Sequence, residues 1–347
     1  MSMSTSTLRT NAIDAVNTQT STFSADVLTL DAPTEIARIA ANIRDVVTRR
    51  LRRKGVVVGI SGGIDSSVVA ALAVKALGAD RVLGLLLPES ESSPESLELG
   101  TMLAASLGIQ TVLEDITPIL DGARCYARRD DAIRTVVPEY GPAHKCKIVL
   151  PSILDGDGYR IFSLVVQAPN GERRTANLTA EAYLGILSAM NFKQRVRKMM
   201  EYYHADRLQY AVAGTPNRLE YDQGFFVKLG DGAADLKPIA HLYKSQVYQL
   251  AETLAIPVQI RSRAPTTDTY TLAQTQEEFF FSVPYATLDL CLYAKNHGID
   301  TALVAAATGL TNDQVERIDR DIDAKRRATR YLHEPAQLVD PVREIDG

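Results

Sequence analysis

A string of glycines and hydroxyl residues lies early in the chain, between a run of β-branched residues and an apolar helical run. The string consists of Ser61, Gly62, Gly63, Ile64, Asp65, Ser66 and Ser67. A strand that turns through glycines into a helix leaves unpaired backbone N–H groups at the helix start, and these groups bind phosphate oxygens. The serine hydroxyls supply further donors. The pattern therefore predicts a cradle for a phosphate or pyrophosphate group.

This glycine string differs from the Walker A loop, because no lysine follows its second glycine and the spacing is wrong. It matches the SGGxDSS pyrophosphate loop of ATP pyrophosphatases, which cleave ATP between the α and β phosphates and transfer AMP. Glycines alone would favour a turn of no chemical consequence. The complete string directly after a predicted strand favours the pyrophosphate loop.

Three later segments carry residues that suit a nucleotide site. Glu220 ends one loop string, Asp231 lies in a second, and Lys244 lies near the start of a helix predicted at 242–254. Carboxylates near strand ends suit Mg²⁺, which prefers a few carboxylates together with phosphate oxygens and waters. A nearby lysine suits the charge that develops on a leaving pyrophosphate. Each fragment alone is weak evidence, but together they predict a site for ATP and Mg²⁺.

Strands alternate with helices on both sides of the glycine string. Strands are predicted at residues 56–58, 81–88, 110–116 and 208–214, and all but the third of these are predicted to be buried. Helices are predicted at 33–53, 66–78, 94–107, within 178–204, and at 242–254, 285–295, 301–307 and 311–332. This alternation predicts an α/β protein with a doubly wound parallel sheet, a three-layer fold of the Rossmann type. Such sheets bind ligands at the carboxyl ends of their strands, where the glycine string lies.

Two stretches depart from the alternation. Residues 1–30 are rich in Ser and Thr and lack both an apolar face and the pattern of a signal peptide, which predicts a mostly disordered arm. Residues 121–190 read as an insertion, in which strand-like residues 159–167, an Asn170-Gly171 turn and residues 173–178 predict a β-hairpin. The remaining chain, 31–347, is predicted to form a single domain that carries this insertion.

Composition excludes several classes of protein. The net charge of -4 gives no argument for binding nucleic acid or a membrane surface. No apolar run approaches the roughly 20 residues that span a bilayer. The three cysteines are widely spaced, which predicts a reducing, cytoplasmic environment with neither disulfides nor a zinc site.

The chain resembles the ammonia-dependent NAD synthetases over most of residues 35–120 and 188–335. The strings that carry the resemblance are SGGIDSS, NFKQRVRKM from Asn191, GTPNRLE ending at Glu220, and GDGAADLKPI from Gly230. Two short strings that contain a proline, at residues 88–90 and 92–96, add to it. The resemblance implies an adenine-nucleotide alpha-hydrolase-like fold. It also implies that ATP adenylates the carboxylate of nicotinic acid adenine dinucleotide and that ammonia displaces AMP to form NAD⁺.

The resemblance also implies a role for each matching residue. The implied ATP-binding residues are Ser61, Gly62, Gly63, Asp65, Ser66, Ser67, Leu87, Arg197, Thr215, Lys244 and Thr266. Those implied to face the dinucleotide are Asn191, Arg195, Tyr202, Lys228 and Asp235. Asp65 and Glu220 would hold Mg²⁺, while Asp231 and Lys244 would be catalytic. Lys325, Arg326 and Arg327 resemble a basic string that closes over ATP.

Several of these residues have simpler interpretations. Arg195 and Arg197 could lie on a solvated helix face, and the basic string at 325–327 could offset a helix dipole. Tyr202 and Phe225 could pack in the core. An aspartate near a turn, such as Asp235 or Asp268, could cap a helix.

Alternative functions also stay open at this stage. The long insertion precedes the substrate-facing helix, so the same chemistry could act on a different carboxylate or amine. A tRNA-modifying ATP pyrophosphatase would need catalytic cysteines and a basic surface, of which the sequence shows no sign. A non-catalytic nucleotide-binding module would not need Asp65, Glu220, Asp231 and Lys244 together.

The resemblance further implies a homodimer, with the N-terminal helix and the helix at 191–204 as interface elements. The chain before residue 55 is too short for a glutamine-hydrolysing domain. We therefore expect free ammonia, or ammonia supplied by a separate protein.

Overall fold

The computed structural model describes residues 23–155, 162–266, 270–342 and 344. Its strands are β1 (Val56–Gly59), β2 (Val82–Leu86), β3 (Gln110–Leu113), β4 (Lys145–Val149), β5 (Ser163–Gln167), β6 (Arg173–Asn177) and β7 (Ala211–Ala213). Its α-helices are α1 (Ala32–Asp45), α2 (Ile64–Leu77), α3 (Pro94–Leu107), α4 (Thr117–Gly122), α5 (Cys125–Arg134), α6 (Ala180–Leu208), α7 (Arg218–Gln223), α8 (Lys244–Thr253), α9 (Val258–Arg261), α10 (Tyr285–His297), α11 (Thr301–Thr308) and α12 (Asn312–His333).

A parallel sheet of order β3-β2-β1-β7 forms the centre of the fold. Val56 and Val58 pack on one face, in a hydrophobic cluster with α1, α2, α3 and α8. Val57 packs on the opposite face, in a cluster that includes residues of α6. Because side chains alternate across a strand, each face of β1 needs its own covering layer. The predicted three-layer α/β fold is therefore confirmed.

The predicted helices lie close to those observed, with two differences. The helix predicted at 33–53 is α-helical only to Asp45 and continues as a π-helical turn, Val46–Arg50. The helices predicted within 178–204 form one helix of 29 residues, α6. Thr311 and Gln314 form a capping box at the start of α12.

A second, antiparallel sheet of order β4-β5-β6 lies within the predicted insertion. The predicted hairpin is confirmed, because β5 and β6 pair in antiparallel register from Ser163 with Asn177 to Gln167 with Arg173. Residues 159–161 of the predicted hairpin strand lie outside the described residues. The prediction missed β4, which pairs with β5. Helices α4 and α5 precede this sheet and were also not predicted.

The prediction of a disordered arm is wrong for residues 23–30. Ala25–Leu28 form a 3₁₀-helix, and Leu28 is buried against a cluster that contains Phe281. Gln249 of α8 donates to the Leu28 carbonyl at 3.0 Å and accepts from Leu30 N–H at 2.9 Å. Apolar burial and these bonds order the segment. Residues 1–22 lie outside the described residues.

Candidate active site

A cavity of about 510 Å³ lies at the carboxyl ends of the central strands. Its wall includes Gly59 at the end of β1, Leu87 just after β2, and Thr215 just after β7. The sequence-predicted residues that line it are Ser61, Gly63, Asp65, Ser66, Leu87, Asn191, Arg195, Arg197, Thr215, Glu220, Lys228, Asp231, Lys244 and Thr266. Residues as far apart in sequence as Ser61 and Thr266 thus meet in one cavity, because parallel strands end at the same edge of the sheet.

The glycine string forms a tight turn between β1 and α2. Gly63 is the N-cap residue, and its carbonyl accepts from Ser67 N–H at 3.2 Å and from the Ser67 hydroxyl at 2.8 Å. Ser66 also donates to this carbonyl, at 3.1 Å, and contacts the Ser61 hydroxyl at 3.1 Å. The earlier N–H groups of α2 precede the first intrahelical bond and point out of the helix start. This is the geometry of a phosphate cradle.

Gly62 does not line the cavity, but the turn requires a glycine there. Its φ is +73°, and a Cβ would lie 2.6 Å from the carbonyl oxygen of Ser96. We expect Gly62→Ala to destabilise the fold by more than the roughly 1–2 kcal/mol of a left-handed alanine and to weaken ATP binding at least tenfold. Chemical unfolding and nucleotide titration measure the two effects.

The matched control for this prediction is Gly108→Ala. Gly108 has a similar φ of +66°, but nothing lies within 4 Å of its Cβ position. We expect this variant to lose only the roughly 1–2 kcal/mol of folding stability that a left-handed alanine costs, and to bind ATP normally. Equal losses in the two variants would contradict the steric account.

Asp65, Glu220 and Lys244 form the charged centre of the site. Lys244 is 1% exposed, and its Nζ lies 2.5 Å from Asp65 Oδ2. Asn217 bridges the two carboxylates: its side-chain Nδ2 donates to Asp65 Oδ1 at 3.1 Å, and its backbone N–H donates to Glu220 Oε2 at 3.0 Å. The capping box of α7 thereby fixes Glu220 opposite Asp65.

Burial and charge shift the pKa values of this centre in different directions. Burial, together with the neighbouring charge of Asp65, raises the pKa of Glu220 to about 8. Burial alone would lower the pKa of Lys244, but the attraction of Asp65 and Glu220 outweighs it and the pKa is raised. The lysine is therefore held as a buried cation.

The carboxylate pair suits a divalent cation bound together with a nucleotide. Within the described ranges, no group of three or more His, Cys, Asp or Glu side chains forms a metal cluster. Mg²⁺ commonly takes only one or two carboxylates and completes its shell with phosphate oxygens and water. A cation between Asp65 and Glu220 would offset the repulsion that raises the pKa of Glu220. The residues present therefore fit Mg²⁺.

A second buried carboxylate, Asp289 on α10, holds the start of α8. Its oxygens accept from the backbone N–H of Lys244 at 3.2 Å and of Ser245 at 2.7 Å. This contact fixes the backbone of Lys244, whose side chain reaches Asp65. Burial raises the pKa of Asp289 to about 6 from its ordinary 3.8. The sequence had drawn no attention to Asp289, because it lies inside a helical run with no loop motif nearby.

The raised pKa of Asp289 predicts a specific pH dependence of stability. The folded state binds this proton more tightly than the unfolded state, so the stabilisation is complete below pH 3.8 and is lost as the pH rises through about 6. Between pH 5 and pH 7.5 we expect wild type to lose roughly 1.4 kcal/mol relative to Asp289→Asn, which does not titrate. Urea unfolding of both proteins at the two pH values measures this; a constant difference would contradict it.

Asp231 lies in a tight turn after Val227 and faces the cavity. Its Oδ1 accepts from Val227 N–H at 2.7 Å, and burial raises its pKa. Lys198 of α6 contributes a nearby positive charge and forms a buried ion pair with Glu201 at 2.5 Å. A carboxylate held apart from bulk water beside the reaction chamber can accept a proton.

Helix α6 forms one wall of the cavity. Asn191 and Arg195 line it, and Arg197 donates to the Leu87 carbonyl at 3.3 Å and to the Ser92 hydroxyl at 3.4 Å. The interpretation that Arg197 lies on a solvated helix face is therefore wrong. Lys198 and Glu201 also line the cavity and were missed, although Lys198 lies in the NFKQRVRKM string. Their spacing of three residues on a helix was the available signal.

Four sequence-predicted residues do not line the cavity: Gly62, Ser67, Tyr202 and Asp235. The Tyr202 hydroxyl donates to Asp235 Oδ1 at 3.4 Å, and Asp235 Oδ2 accepts from Val212 N–H of β7 at 2.7 Å. Asp235 thus binds the middle of β7 and does not cap a helix. The substrate roles of Tyr202 and Asp235 stay predictions. Asp268 lies outside the described residues.

The basic groups near the C-terminal helix have partners within the protein. Lys228 lines the cavity but donates to the carbonyls of Tyr331 and Glu334, at 2.7 and 2.9 Å. Lys325 pairs with Asp321 at 2.7 Å, and Arg326 donates to both oxygens of Asp222. The interpretation that these two side chains only offset a helix dipole at the surface therefore does not describe them.

One wall of the cavity is aromatic, and only Phe225 of its members had been named from the sequence. The wall consists of Tyr183, Phe225, Tyr270, Phe279 and Phe280. Phe225 stacks on Phe280 with ring centroids 4.7 Å apart. The buried hydroxyl of Tyr270 has no hydrogen-bond partner in the described part of the chain. The wall can pack against a planar ring, and Tyr270 can offer it a hydrogen bond.

The three cysteines lie away from the cavity. Cys125, Cys146 and Cys291 are buried and free, and burial raises the pKa of Cys125 to about 11 and of Cys291 to about 12. Thiols in such surroundings are inert. This disfavours thiol chemistry of the kind that a tRNA-thiolating enzyme would need.

The fold and the site together define a nucleotide-binding α/β protein whose phosphate loop is of the ATP-pyrophosphatase type. The family model described as NAD synthase matches residues 35–135 and 172–330. The chain belongs to this family. The match leaves out residues 136–171, which lie within the predicted insertion and contain β4 and β5.

Relatives from several organisms resemble the chain over most of its length. It is 58% identical over 324 residues to the NH(3)-dependent NAD(+) synthetase of Rhizobium meliloti (strain 1021). The matched region covers 93% of this chain and 97% of that relative. It is 37% identical over 240 residues to the protein of that name from Thermotoga neapolitana, covering 69% of this chain and 77% of that one.

Solved structures share the fold at lower identity. The NMN synthetase from Francisella tularensis matches with a TM-score of 0.62 and 21% identity, covering 89% of this chain and 99% of that one. The NH3-dependent NAD synthetase from Campylobacter jejuni matches with a TM-score of 0.59 and 20% identity, covering 90% and 100%. No helix among the described residues is long and apolar enough to cross a membrane.

Proposed function

We propose that this protein joins ammonia to the carboxylate of nicotinic acid adenine dinucleotide in an ATP-dependent reaction that forms NAD⁺. The observation that carries the proposal is the convergence of the phosphate loop, the Asp65–Lys244–Glu220 centre and Asp231 in one cavity. Relatives that are 58% and 37% identical bear the name of this activity. The reaction consumes one ATP and releases AMP and pyrophosphate.

A carboxylate is a poor electrophile, so it must first be activated. One carboxylate oxygen attacks the α-phosphorus of ATP, and the bond to pyrophosphate breaks. The N–H groups and hydroxyls of the glycine string hold the phosphates, and the buried Lys244 cation stabilises negative charge as pyrophosphate leaves. Asp65 and Glu220 would hold Mg²⁺, which supplies further neutralisation of the phosphates when bound.

The second step is attack of ammonia on the carbonyl carbon of the acyl-adenylate. The carbon–oxygen bond to AMP then breaks, and the nitrogen must lose a proton. Asp231 faces the cavity and its raised pKa makes it a stronger base than an exposed aspartate, so we assign to it the acceptance of that proton. Holding both nucleotides in one cavity converts the two encounters into reactions between bound groups.

The proposal is tested with purified protein, ATP, Mg²⁺ and ammonium, by following pyrophosphate release and the amide product. Separate reactions contain nicotinic acid adenine dinucleotide, the corresponding mononucleotide, or no acid. We expect rapid release only with the dinucleotide, with NAD⁺ formed in equal amount. Preference for the mononucleotide would support the altered-substrate alternative, whose counterpart is the activity named for the Francisella structure. Release with neither acid would refute the proposal.

We also propose that the protein is a cytoplasmic homodimer that uses α1 and α6 as interface elements and takes ammonia that is free or delivered by another protein. Helix α6 supports the dimer, because Leu184, Met199 and Tyr203 are 57%, 51% and 58% exposed on its surface. Light scattering on a sizing column should report twice the chain mass. Met199→Glu, placed within this surface, should shift the equilibrium towards the monomer.

A further inference from the structure

The antiparallel sheet of the insertion has one edge that does not face solvent. Strand β4 pairs with β5 on one side. On its other side it binds a segment that we call the 270–282 segment, defined by those residues. The segment's Leu272 N–H donates to the Cys146 carbonyl at 3.1 Å, and Leu150 N–H donates to the Glu278 carbonyl at 3.2 Å.

Side chains strengthen this contact along the whole of β4. The Thr271 hydroxyl accepts from Cys146 N–H at 2.7 Å. Lys147 donates to the Ala273 carbonyl at 3.2 Å and pairs with Glu278 at 2.9 Å. The Gln274 side chain donates to the Ile148 carbonyl. An edge strand offers free backbone groups, and here the 270–282 segment satisfies several of them.

The opposite side of the 270–282 segment faces the active site. Tyr270, Gln276, Phe279 and Phe280 line the cavity. Gln276 donates through Nε2 to Glu220 Oε1 at 3.3 Å, and its own Oε1 accepts from the Tyr285 hydroxyl. One Glu220 oxygen is thus held by Asn217 and the other by Gln276.

The two sides are mechanically connected through a shared apolar core. Tyr270 and Phe279 pack in the same cluster as Ile148 of β4 and Leu164 of β5. Residues from the insertion and from the cavity wall therefore form one packed unit. Displacing β4 would displace the segment, and with it the amide that contacts Glu220.

We propose that β4 anchors the 270–282 segment against the cavity, and that Gln276 is the positioning residue through which this anchor orients Glu220. A neutral amide that donates to the carboxylate fixes its direction without removing its charge, which is how outer partners tune a metal ligand. The inference rests on the proposed role of Glu220 in holding the divalent cation. Sequences without this sheet would have to secure the segment in another way.

The test compares three single variants and one double variant of the full chain. Gln276→Leu removes the donor to Glu220, and Thr271→Val removes the hydroxyl that binds β4. Thr175→Val is the matched control, because Thr175 is exposed on β6, the opposite edge of the same sheet. The double variant combines Thr271→Val with Gln276→Leu. Binding of Mn²⁺–ATP is measured by the enhancement of water-proton relaxation, and thermal unfolding checks the fold.

We expect Gln276→Leu to weaken Mn²⁺–ATP binding by about 10–100-fold. Thr271→Val should weaken it by a smaller factor, and Thr175→Val should leave it unchanged. If the anchor acts through Gln276, Thr271→Val should add no further loss in the Gln276→Leu background. The concentration of Mg²⁺ that gives half-maximal amide formation should follow the same order.

Two results would overturn the inference: wild-type cation binding in Gln276→Leu, or a Thr271→Val loss that multiplies fully with that of Gln276→Leu. Failure of the proposed function has a different signature, namely a wild-type protein that binds Mn²⁺–ATP but forms no amide from the dinucleotide. A wild-type protein that does not bind Mn²⁺–ATP would overturn both.

Discussion

Asp231→Asn protein should release pyrophosphate at close to the wild-type rate in the first turnover, while forming amide about 10²–10⁴-fold more slowly. The substitution keeps the size of the side chain. It also keeps an oxygen that can accept from Val227 N–H, as Asp231 Oδ1 does at 2.7 Å in the wild-type protein. It removes the base that we assign to the proton of the attacking nitrogen. Activation of the carboxylate needs no such base, so the first step should survive.

Rapid-mixing measurements of pyrophosphate and amide in the same reaction separate the two steps. Asp206→Asn is a suitable control, because Asp206 is an exposed aspartate on α6. It should leave both steps unchanged. An Asp231→Asn protein that loses pyrophosphate release and amide formation equally would place Asp231 in the first step and contradict its assigned role.

Lys244→Met should reduce pyrophosphate release by about 10²–10³-fold, since it removes a preorganised cation from the site where negative charge develops. Methionine replaces all of the lysine side chain except its terminal nitrogen, so the 1%-exposed position stays largely filled. The change also leaves the Asp65 and Glu220 carboxylates without their shared cation. Breaking a buried pair in this way costs about 3–5 kcal/mol of folding stability.

The two consequences of losing Lys244 are separated by the double variant Lys244→Met with Asp65→Asn. Removing the Asp65 charge relieves the unpaired carboxylate, so stability in urea should recover in part. Pyrophosphate release should stay low, because neither partner is restored. Recovery of activity together with stability would show that Lys244 acts only through the fold.

The local features of the fold follow directly from the amino-acid pattern. Pro94–Leu107 forms a helix with the predicted bounds, since proline starts it and Gly108 ends it in the left-handed conformation. In the central sheet, β1, β2 and β7 are short, buried apolar runs bounded by turns, whereas β3 is largely exposed. The 170–171 turn and its flanking strands form the predicted hairpin. Each of these signals is complete within about 15 residues.

Features that depend on distant contacts were missed. Strand β4 has a mixed sequence, and its pairing with β5 and the 270–282 segment compensates for its weak propensity. Residues 23–30 show no periodic apolar face in sequence, yet the burial of one leucine and two hydrogen bonds with the Gln249 side chain order them. Asp289 lies inside an apolar helix, and only the approach of α8 gives its carboxylate donors.

The sequence by itself determined the phosphate loop, the parallel sheet behind it and the family resemblance, because these depend on residue types at fixed local spacings. It also identified Asp65, Glu220, Asp231 and Lys244 as candidates. Only the tertiary structure decided which residues share the cavity, that Tyr202 and Asp235 contact each other outside it, and that Gln276 reaches Glu220. The physical reason is that burial, charge pairing and hydrogen-bond direction depend on chain segments that pack together from far apart.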